Sequence, residues 1–465
     1  WRRHSCDNTT AYRFYKVSLD ENRVKGAGDA HVYSAEAELY FIAASEEPVE
    51  PTGLNNLEQS AGDRFALPLQ QTWPAADYGA EVCLWQYDRY AALSFGHDDN
   101  CDWDIPFLLR EAERNGIKLT WWLITANVGQ SDAGGTWEKW RECFAAGHGI
   151  ESHSHTHEWH GGGRTVPDAA AAAGMSEADY VEFCMYSNSL AVIRENIPGC
   201  KPSTLAFPGG ESYPEIANRY FVSGRSVNPY INRANAIDYR NVSASSSGID
   251  PGYINAMLGG RGGSKALAGW KGAFNNEKNY RGWFVPFQHT ESTHDGLPNA
   301  GHEEGVSQQI ERMALLGRHR RHLWLGTYGA VAKYGQSRDT ASLTVGTKTA
   351  SRITFTLQDQ MRDDWYDEPL TVKVRLPAVW AQSGVAATQG DKTLDAFYVE
   401  HGGAKYALVN AVPDRGEVTL VPAAANSGTW DETSYETPTY TYQVRFFDTD
   451  GTTLLKTIIA HPIDT

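Results

Sequence analysis

The stretch Tyr90-Ala91-Ala92-Leu93-Ser94-Phe95-Gly96-His97-Asp98-Asp99-Asn100 joins an apolar run to two adjacent carboxylates. Tyr90 to Phe95 is predicted to be a strand, so Asp98 and Asp99 sit where the chain leaves it. Side chains at such an exit can diverge, one binding a cation and the other accepting a proton. Asp-Asp is also the ordinary composition of a solvated turn, so the pair alone decides nothing about chemistry. Outward from it, Ile105 to Asn115 is predicted as a helix and Lys118 to Ile124 as a buried strand. Trp137 to Ala146 reads as a helix closed by Gly147, followed by a short strand ending near Ser152. A long helical stretch then runs through Ile193, Ser203 to Phe207 is a strand and Tyr213 to Phe221 a helix. Trp283 to Phe287 and Leu323 to Gly326 are further apolar strands, the second followed by a helical turn through Tyr334. This alternation predicts an α/β domain built from strand–helix units around a parallel sheet.

Four chemically rich stretches each follow a predicted strand: Gly96 to Asn100, His153 to His157, Pro208 to Glu211 and His289 to Glu291. In parallel α/β folds the loops after strands converge on one mouth, which is where sites are built. His153-Ser154-His155-Thr156-His157 is the most specific of the four. Alternate histidines offer two ligands on one face whether the segment is extended or helical, and neutral imidazole is a common ligand for zinc and similar metals. Two imidazoles, one carboxylate and an open position make the arrangement that acidifies a water and polarises a carbonyl in hydrolysis. The bland alternative is a run of surface histidines.

Taken together, these stretches resemble the polysaccharide deacetylases of the NodB homology family, carbohydrate esterase family 4, over roughly Ala91 to Tyr334. That family's first motif, usually Thr-Phe-Asp-Asp-Gly, is similar to Ser94-Phe95-Gly96-His97-Asp98-Asp99-Asn100. The resemblance implies that Asp98 is the general base and Asp99 a metal ligand. The second motif, His-Ser/Thr-x-x-His, matches His153 to His157 and implies His153 and His157 as the other two ligands. The third, Arg/Ala-x-Pro-x-Gly, matches Ala206-Phe207-Pro208-Gly209-Gly210 and places Pro208, Gly209 and Gly210 in a wall of the substrate groove. His97 and His155 are expected as further substrate-facing neighbours. Members with Arg at the start of the third motif use it to orient the catalytic Asp, which Ala206 cannot do. Arg225 is the candidate substitute, with an ordinary surface arginine as the alternative. Phe284 to His289 looks like the final motif, making His289 the general acid, and Leu323 to Tyr328 resembles the closing strand. The fourth motif has no counterpart that can be placed, and His97 and Asn100 depart from the usual first motif.

The implied fold is a distorted (β/α)7-type NodB barrel with flanking all-β accessory segments. The expected division is residues 1–85 (β-rich segment and linker), 86–338 (catalytic domain), 339–424 (β-sandwich) and 425–465 (linker and hairpin). Tyr12 to Phe41 alternates like antiparallel strands and faintly resembles the closing hairpin of a galactose-binding-like jelly roll. Tyr440 to Lys456 resembles the opening hairpin of a bacterial surface-protein repeat.

The implied activity is metal-dependent hydrolysis of acetyl groups from N-acetylated sugars, N-acetylglucosamine or N-acetylgalactosamine, in a polysaccharide or host glycan. Zinc is the expected metal, with cobalt or nickel as alternatives. A carbohydrate O-acetyl esterase of the xylan type is the second reading, and a catalytically inactive glycan-binding surface protein the third. Paired carboxylates for glycoside hydrolysis would not require the histidine cluster. A net charge of -16 disfavours nucleic acid as a partner, since counterion release needs a basic surface. No run of 18 or more apolar residues is present, so no membrane span is expected. Chain processing, inferred from Trp1 in place of Met, and the six cysteines without a CxxC pair are compatible with a secreted or cell-surface location, disulfides and free thiols both remaining open.

Overall fold

The computed structural model describes residues 52–58, 60, 71–130, 134–258, 281–289, 306–428, 442–447 and 454–460. The strands expected between Tyr12 and Phe41 lie outside the described residues. Strands run in chain order as β1 (Ala80–Val82), β2 (Ala91–Leu93), β3 (Gly96–His97), β4 (Thr120–Leu123), β5 (Gly149–Ser152), β6 (Thr204–Ala206) and β7 (Ser223–Arg225). They continue as β8 (Trp283–Phe284), β9 (Phe287–Gln288) and β10 (Leu323–Leu325).

One parallel sheet has the order β7-β6-β5-β4-β3-β9, and a smaller parallel sheet has the order β10-β2-β8. The two are continuous along the chain, because β2 runs into β3 and β8 into β9. Each leaves regular strand geometry between the two sheets, at Ser94-Phe95 and at Val285-Pro286, where proline lacks a backbone donor. Isolated parallel bridges Arg225 to Val242 and Ser245 to Pro286 carry the ring from β7 back to β9. The expected α/β barrel is therefore present, and irregular: segment 242–245 closes it with bridges where a regular strand would pair.

Helix Ile105–Asn115 spans the predicted residues and ends on Gly116 at φ 66°, whose N–H bonds back into the last turn. It buries Leu108 and Ala112 fully against the barrel. Helix Trp137–Ala145 begins with Thr136 as N-cap. The long helical stretch is Val166–Ala173 followed by a run from Glu177 to Asn196 whose middle, Tyr180–Ser187, is π-helical. Buried Glu151 accepts the N–H groups of Ser203 and Thr204, both at 2.8 Å, and so ties β5 to the start of β6.

Downstream, β11 (Ser342–Lys348) to β18 (Glu417–Ala423) form two antiparallel sheets, as the predicted sandwich requires. One has the order β1-β13-β17-β16, where β13 is Leu370–Leu376, β16 Ala396–His401 and β17 Ala404–Ala411. The other joins β11, β12 (Ile353–Gln358), β18, β14 (Gly384–Gln389) and β15 (Lys392–Leu394). The expected boundary at residue 85 needs revision, because β1 pairs antiparallel with β13 and belongs to the sandwich. Barrel and sandwich share one apolar core, in which Trp283, Tyr328 and Val331 pack with Phe355, Val372 and Leu420. Tyr442–Phe447 and Leu454–Ala460 pair antiparallel as the predicted hairpin. Among the described residues no helix is long and apolar enough to cross a membrane, and Cys83, Cys143, Cys184 and Cys200 are free thiols.

Candidate active site

β3 delivers Asp98 and Asp99 to the end of the barrel where β5, β6 and β9 also finish. Asp99 and Asn100 both occupy the left-handed region, at φ 59° and 58°. Asn100, where the family has Gly, holds this turn: its amide donates to the Ile124 carbonyl at 3.0 Å and its Oδ1 accepts the Ile124 N–H at 2.6 Å. The segment after β5 is folded by its own serines. Ser152 Oγ accepts the Ser154 N–H at 3.0 Å, and Ser154 Oγ accepts the His157 N–H at 2.9 Å. Ser154 and His157 are themselves left-handed. Non-glycine residues in this region cost energy and persist where the surroundings fix them, a common feature of functional sites.

These turns bring Asp99, His153 and His157 together, with one ligand atom of each within 4.8 Å of the others. His153 Nδ1 lies 2.9 Å from the Ala206 carbonyl, which can only accept, so that nitrogen carries a proton and Nε2 is the ring atom turned to the site. His153 Nε2 is 3.0 Å from His157 Nε2. Asp99 Oδ1 is 3.4 and 3.6 Å from these two nitrogens. It is buried and has no hydrogen-bond donor among the described residues. Burial, reinforced by His153, holds the His157 imidazole down at about 4, so it is neutral near pH 7. Two imidazole nitrogens and an orphaned carboxylate oxygen directed at one point fit a divalent cation.

Asp98 stands beside this group, with Oδ2 3.6 Å from His153 Nε2. Arg225 is no surface arginine: it is fully buried, and its Nη2 donates to Asp98 Oδ1. Its guanidinium lies 4.0 Å from the centre of the Phe287 ring and 5.2 Å from that of Trp122. Burial alone would raise the Asp98 carboxyl, but Arg225, with His153 and His289, overcomes it and holds the group below its usual value. His289 lies across the site, partly exposed, with Nε2 3.8 Å from Asp99 Oδ2.

Pro208 is buried, Gly209 exposed and Gly210 half-buried in the turn after β6. Gly209 has φ 60°, and a Cβ there would fall 2.5 Å from the Trp159 ring. Trp159 was not singled out from the sequence. Its ring stands edge-on to His157, centroids 5.1 Å apart, so it connects the metal-ligand loop to the turn after β6. An aromatic two residues beyond the second histidine was the available signal. His160 and Glu211 bond across the same two loops.

Two expected substrate contacts are placed otherwise. His97 is buried, with Nε2 3.5 Å from Asp104, beneath the groove instead of lining it. Neighbouring residues on a strand point to opposite faces, so once Asp98 faces the mouth His97 faces inward. His155 is half-buried, its N–H donating to the carbonyl of Met185 in the π-helical segment and its ring lying 2.8 Å from Thr125 Oγ1. It buttresses the loop.

Residues 89–221 match the family model for polysaccharide deacetylases. Over 394 residues, 82% of this chain, the sequence is 32% identical to a gellan lyase from a Bacillus species, of whose length the chain spans only 15%. Among solved structures it is similar to the Streptococcus pyogenes deacetylase PplD in complex with acetate, at 18% identity and a TM-score of 0.27 over 32% of this chain and 62% of that one. The Bc1960 peptidoglycan N-acetylglucosamine deacetylase gives 14% identity and a TM-score of 0.30 over 52% of this chain and 87% of that one. Residues 89–221 thus carry a polysaccharide deacetylase domain of the NodB type, carbohydrate esterase family 4.

Proposed function

We propose that this chain removes acetyl groups from N-acetylated sugars of a polysaccharide, in a metal-dependent reaction outside the cell. The observation that carries the reading is the convergence of Asp99, His153 and His157 beside an Asp98 that Arg225 keeps ionised. The three ligands would hold a divalent cation, zinc foremost with cobalt or nickel as alternatives, which supplies Lewis acidity to a water and to the acetyl carbonyl.

The protein's own groups do the remaining work. Asp98 accepts the proton of the attacking water, and Arg225 fixes the carboxylate's orientation so that Oδ2 is the free oxygen. His153 is oriented by the Ala206 carbonyl, which keeps its Nε2 available. The Gly210 and Glu211 N–H groups close the turn onto Phe207 and Pro208, leaving the backbone N–H at Gly209 for the developing oxyanion. His289, across the site from Asp98, protonates the departing amine. An amide is favoured over an ester because an amine leaves poorly unless protonated, and this site holds a positioned acid.

Acetate release from a panel of N-acetylglucosamine and N-acetylgalactosamine oligomers and of O-acetylated xylan tests the reading. Release from an N-acetylated oligomer, lost in Asp98→Asn, supports it. Release from the esters alone replaces it with an O-acetyl esterase.

A further inference from the structure

The helical stretch between β5 and β6 changes register where it passes the loop that carries His153 and His157. Tyr180–Ser187 is π-helical over 8 residues, with α-helical turns on either side, Glu177–Asp179 and Asn188–Asn196. A π-helix bonds from i to i+5, is rare, and occurs mostly as a single turn at functional positions. No proline or glycine stands between Tyr180 and Ser187, so the local sequence does not force the change.

The segment touches the ligand loop at the residues interleaved with the two histidines. The His155 N–H donates to the Met185 carbonyl at 2.9 Å. The Tyr180 hydroxyl donates to Glu158 Oε1 at 3.2 Å and lies 3.5 Å from Thr156 Oγ1. His157 is therefore held in the chain between two residues that Tyr180 contacts. Tyr180, Met185 and Glu158 are all buried, whereas Arg164, 3.5 Å from the same Glu158 oxygen, is exposed. Just past the π-helical residues, Ser152 Oγ donates to Ser189 Oγ at 2.8 Å while accepting the Ser154 N–H. The same segment packs into one apolar cluster with Leu205 and Phe207. Those two residues flank Ala206, whose carbonyl orients His153.

The π register is what lets Tyr180 and Met185 act together. On an α-helix of about 3.6 residues per turn, positions five apart point about 140° away from each other, and one of the pair would turn from the loop. Bonding from i to i+5 brings them to one side of the helix, a turn apart, so a hydroxyl and a backbone carbonyl reach the same loop. Ligand imidazoles owe their aim to outer partners of this kind, and losing one costs about 10- to 100-fold in metal affinity.

We propose that the π-helical segment positions the metal ligands, with Tyr180 as the positioning residue that fixes the His157 end of the loop through Glu158. This rests on the reading of Asp99, His153 and His157 as a metal site. Tyr180 and Glu158 are not ligands themselves; they set how well the ligands are aimed.

Zinc affinity of the metal-stripped chain at pH 7, measured by competition with a chromophoric chelator, tests this without any substrate. Tyr180→Phe keeps the buried ring, removes the hydroxyl and should weaken zinc binding about tenfold. Glu158→Ala should weaken it to a similar extent, and the double variant no further, because both changes remove the same bond. Tyr186→Phe is the control: it lies in the same π-helical segment, packs edge-on against Phe221 with ring centres 5.7 Å apart, and should leave zinc affinity unchanged. A merely structural role for Tyr180 would lower the urea midpoint and leave the affinity of the folded chain as it was. Unchanged affinity in Tyr180→Phe, or an equal loss in Tyr186→Phe, would therefore overturn the proposal. Glu158→Ala decides it in the same way if Tyr180→Phe does not fold. Failure of the underlying reading looks different: the wild-type chain would bind no zinc, or His153→Ala would bind it as tightly, and either result removes the metal site and this proposal with it.

Discussion

Replacing Arg225 by Met tests whether the buried pair with Asp98 organises the base. Both side chains are almost fully enclosed, at 1% and 3% exposure, and the guanidinium also sits against Phe287 and Trp122. Met fills similar apolar volume but leaves the Asp98 carboxylate buried without its cation, which costs about 3–5 kcal/mol. The lost cation–π contacts would add up to ~2 kcal/mol to the single variant. That second contribution is present whenever Arg225 is removed, with or without Asp98, so it cancels in a double-mutant cycle. Urea unfolding of wild type, Arg225→Met, Asp98→Asn and the double variant should therefore give a coupling of about 3–5 kcal/mol between the two positions. The double variant should be more stable than Arg225→Met. A coupling below about 0.5 kcal/mol, the range for independent sites, would refute the reasoning.

Three further outcomes follow from the same geometry. Asn100→Gly keeps the left-handed turn but loses both bonds to Ile124, so it should lower unfolding stability by about 1–3 kcal/mol; an unchanged urea midpoint would contradict the role given to Asn100. Gly209→Ala should cost about 1–2 kcal/mol through its left-handed φ and, by displacing Trp159, raise KM for acetate release; an unaltered KM would detach Trp159 from the groove. His148, whose Nδ1 accepts the Leu119 N–H, is held down to about 4 by burial and by Lys118, against 6.5 when unfolded. Between those values the unfolded chain binds the extra proton, so stability is full above pH 6.5 and is lost as pH falls toward 4. At pH 5 the loss is about 2 kcal/mol. Urea unfolding at pH 7 and 5 should show a fall in stability that is about 2 kcal/mol larger in wild type than in His148→Asn; equal falls would contradict it.

The barrel was legible where periodicity and caps are strong. Ile105 to Asn115 is amphipathic, with Gly116 as its stop, and the structure has the predicted span. The closing segment 242–245 has no such signature, because single bridges impose neither alternation nor a minimum run. β1 was assigned to the wrong side of a boundary for a related reason: three residues pair with β13, nearly three hundred positions later, and nothing local reports that. Within the site, the alternation of His153, His155 and His157 marked a metal-binding stretch, and the family resemblance singled out His153, His157 and Asp99 as the ligands. Arg225 was reached by subtraction, Ala206 being unable to orient Asp98. His97 shows the reverse failure: its proximity to Asp98 along the chain suggested a shared task, whereas strand alternation sends it to the other face, toward Asp104. Trp159 was missed because its role comes from Gly209, fifty residues on, which has no side chain to keep the ring away.

The central claim is that Asp99, His153 and His157 hold a metal on which deacetylation by Asp98 depends. Acetate release from an N-acetylated oligomer, before and after chelation and with zinc or cobalt restored, measures it directly, with Asp98→Asn and His153→Ala alongside. The account predicts loss on chelation and recovery on restoration in the wild type, with neither variant recovering. Undiminished release from fully chelated enzyme, or full activity in His153→Ala, would contradict it.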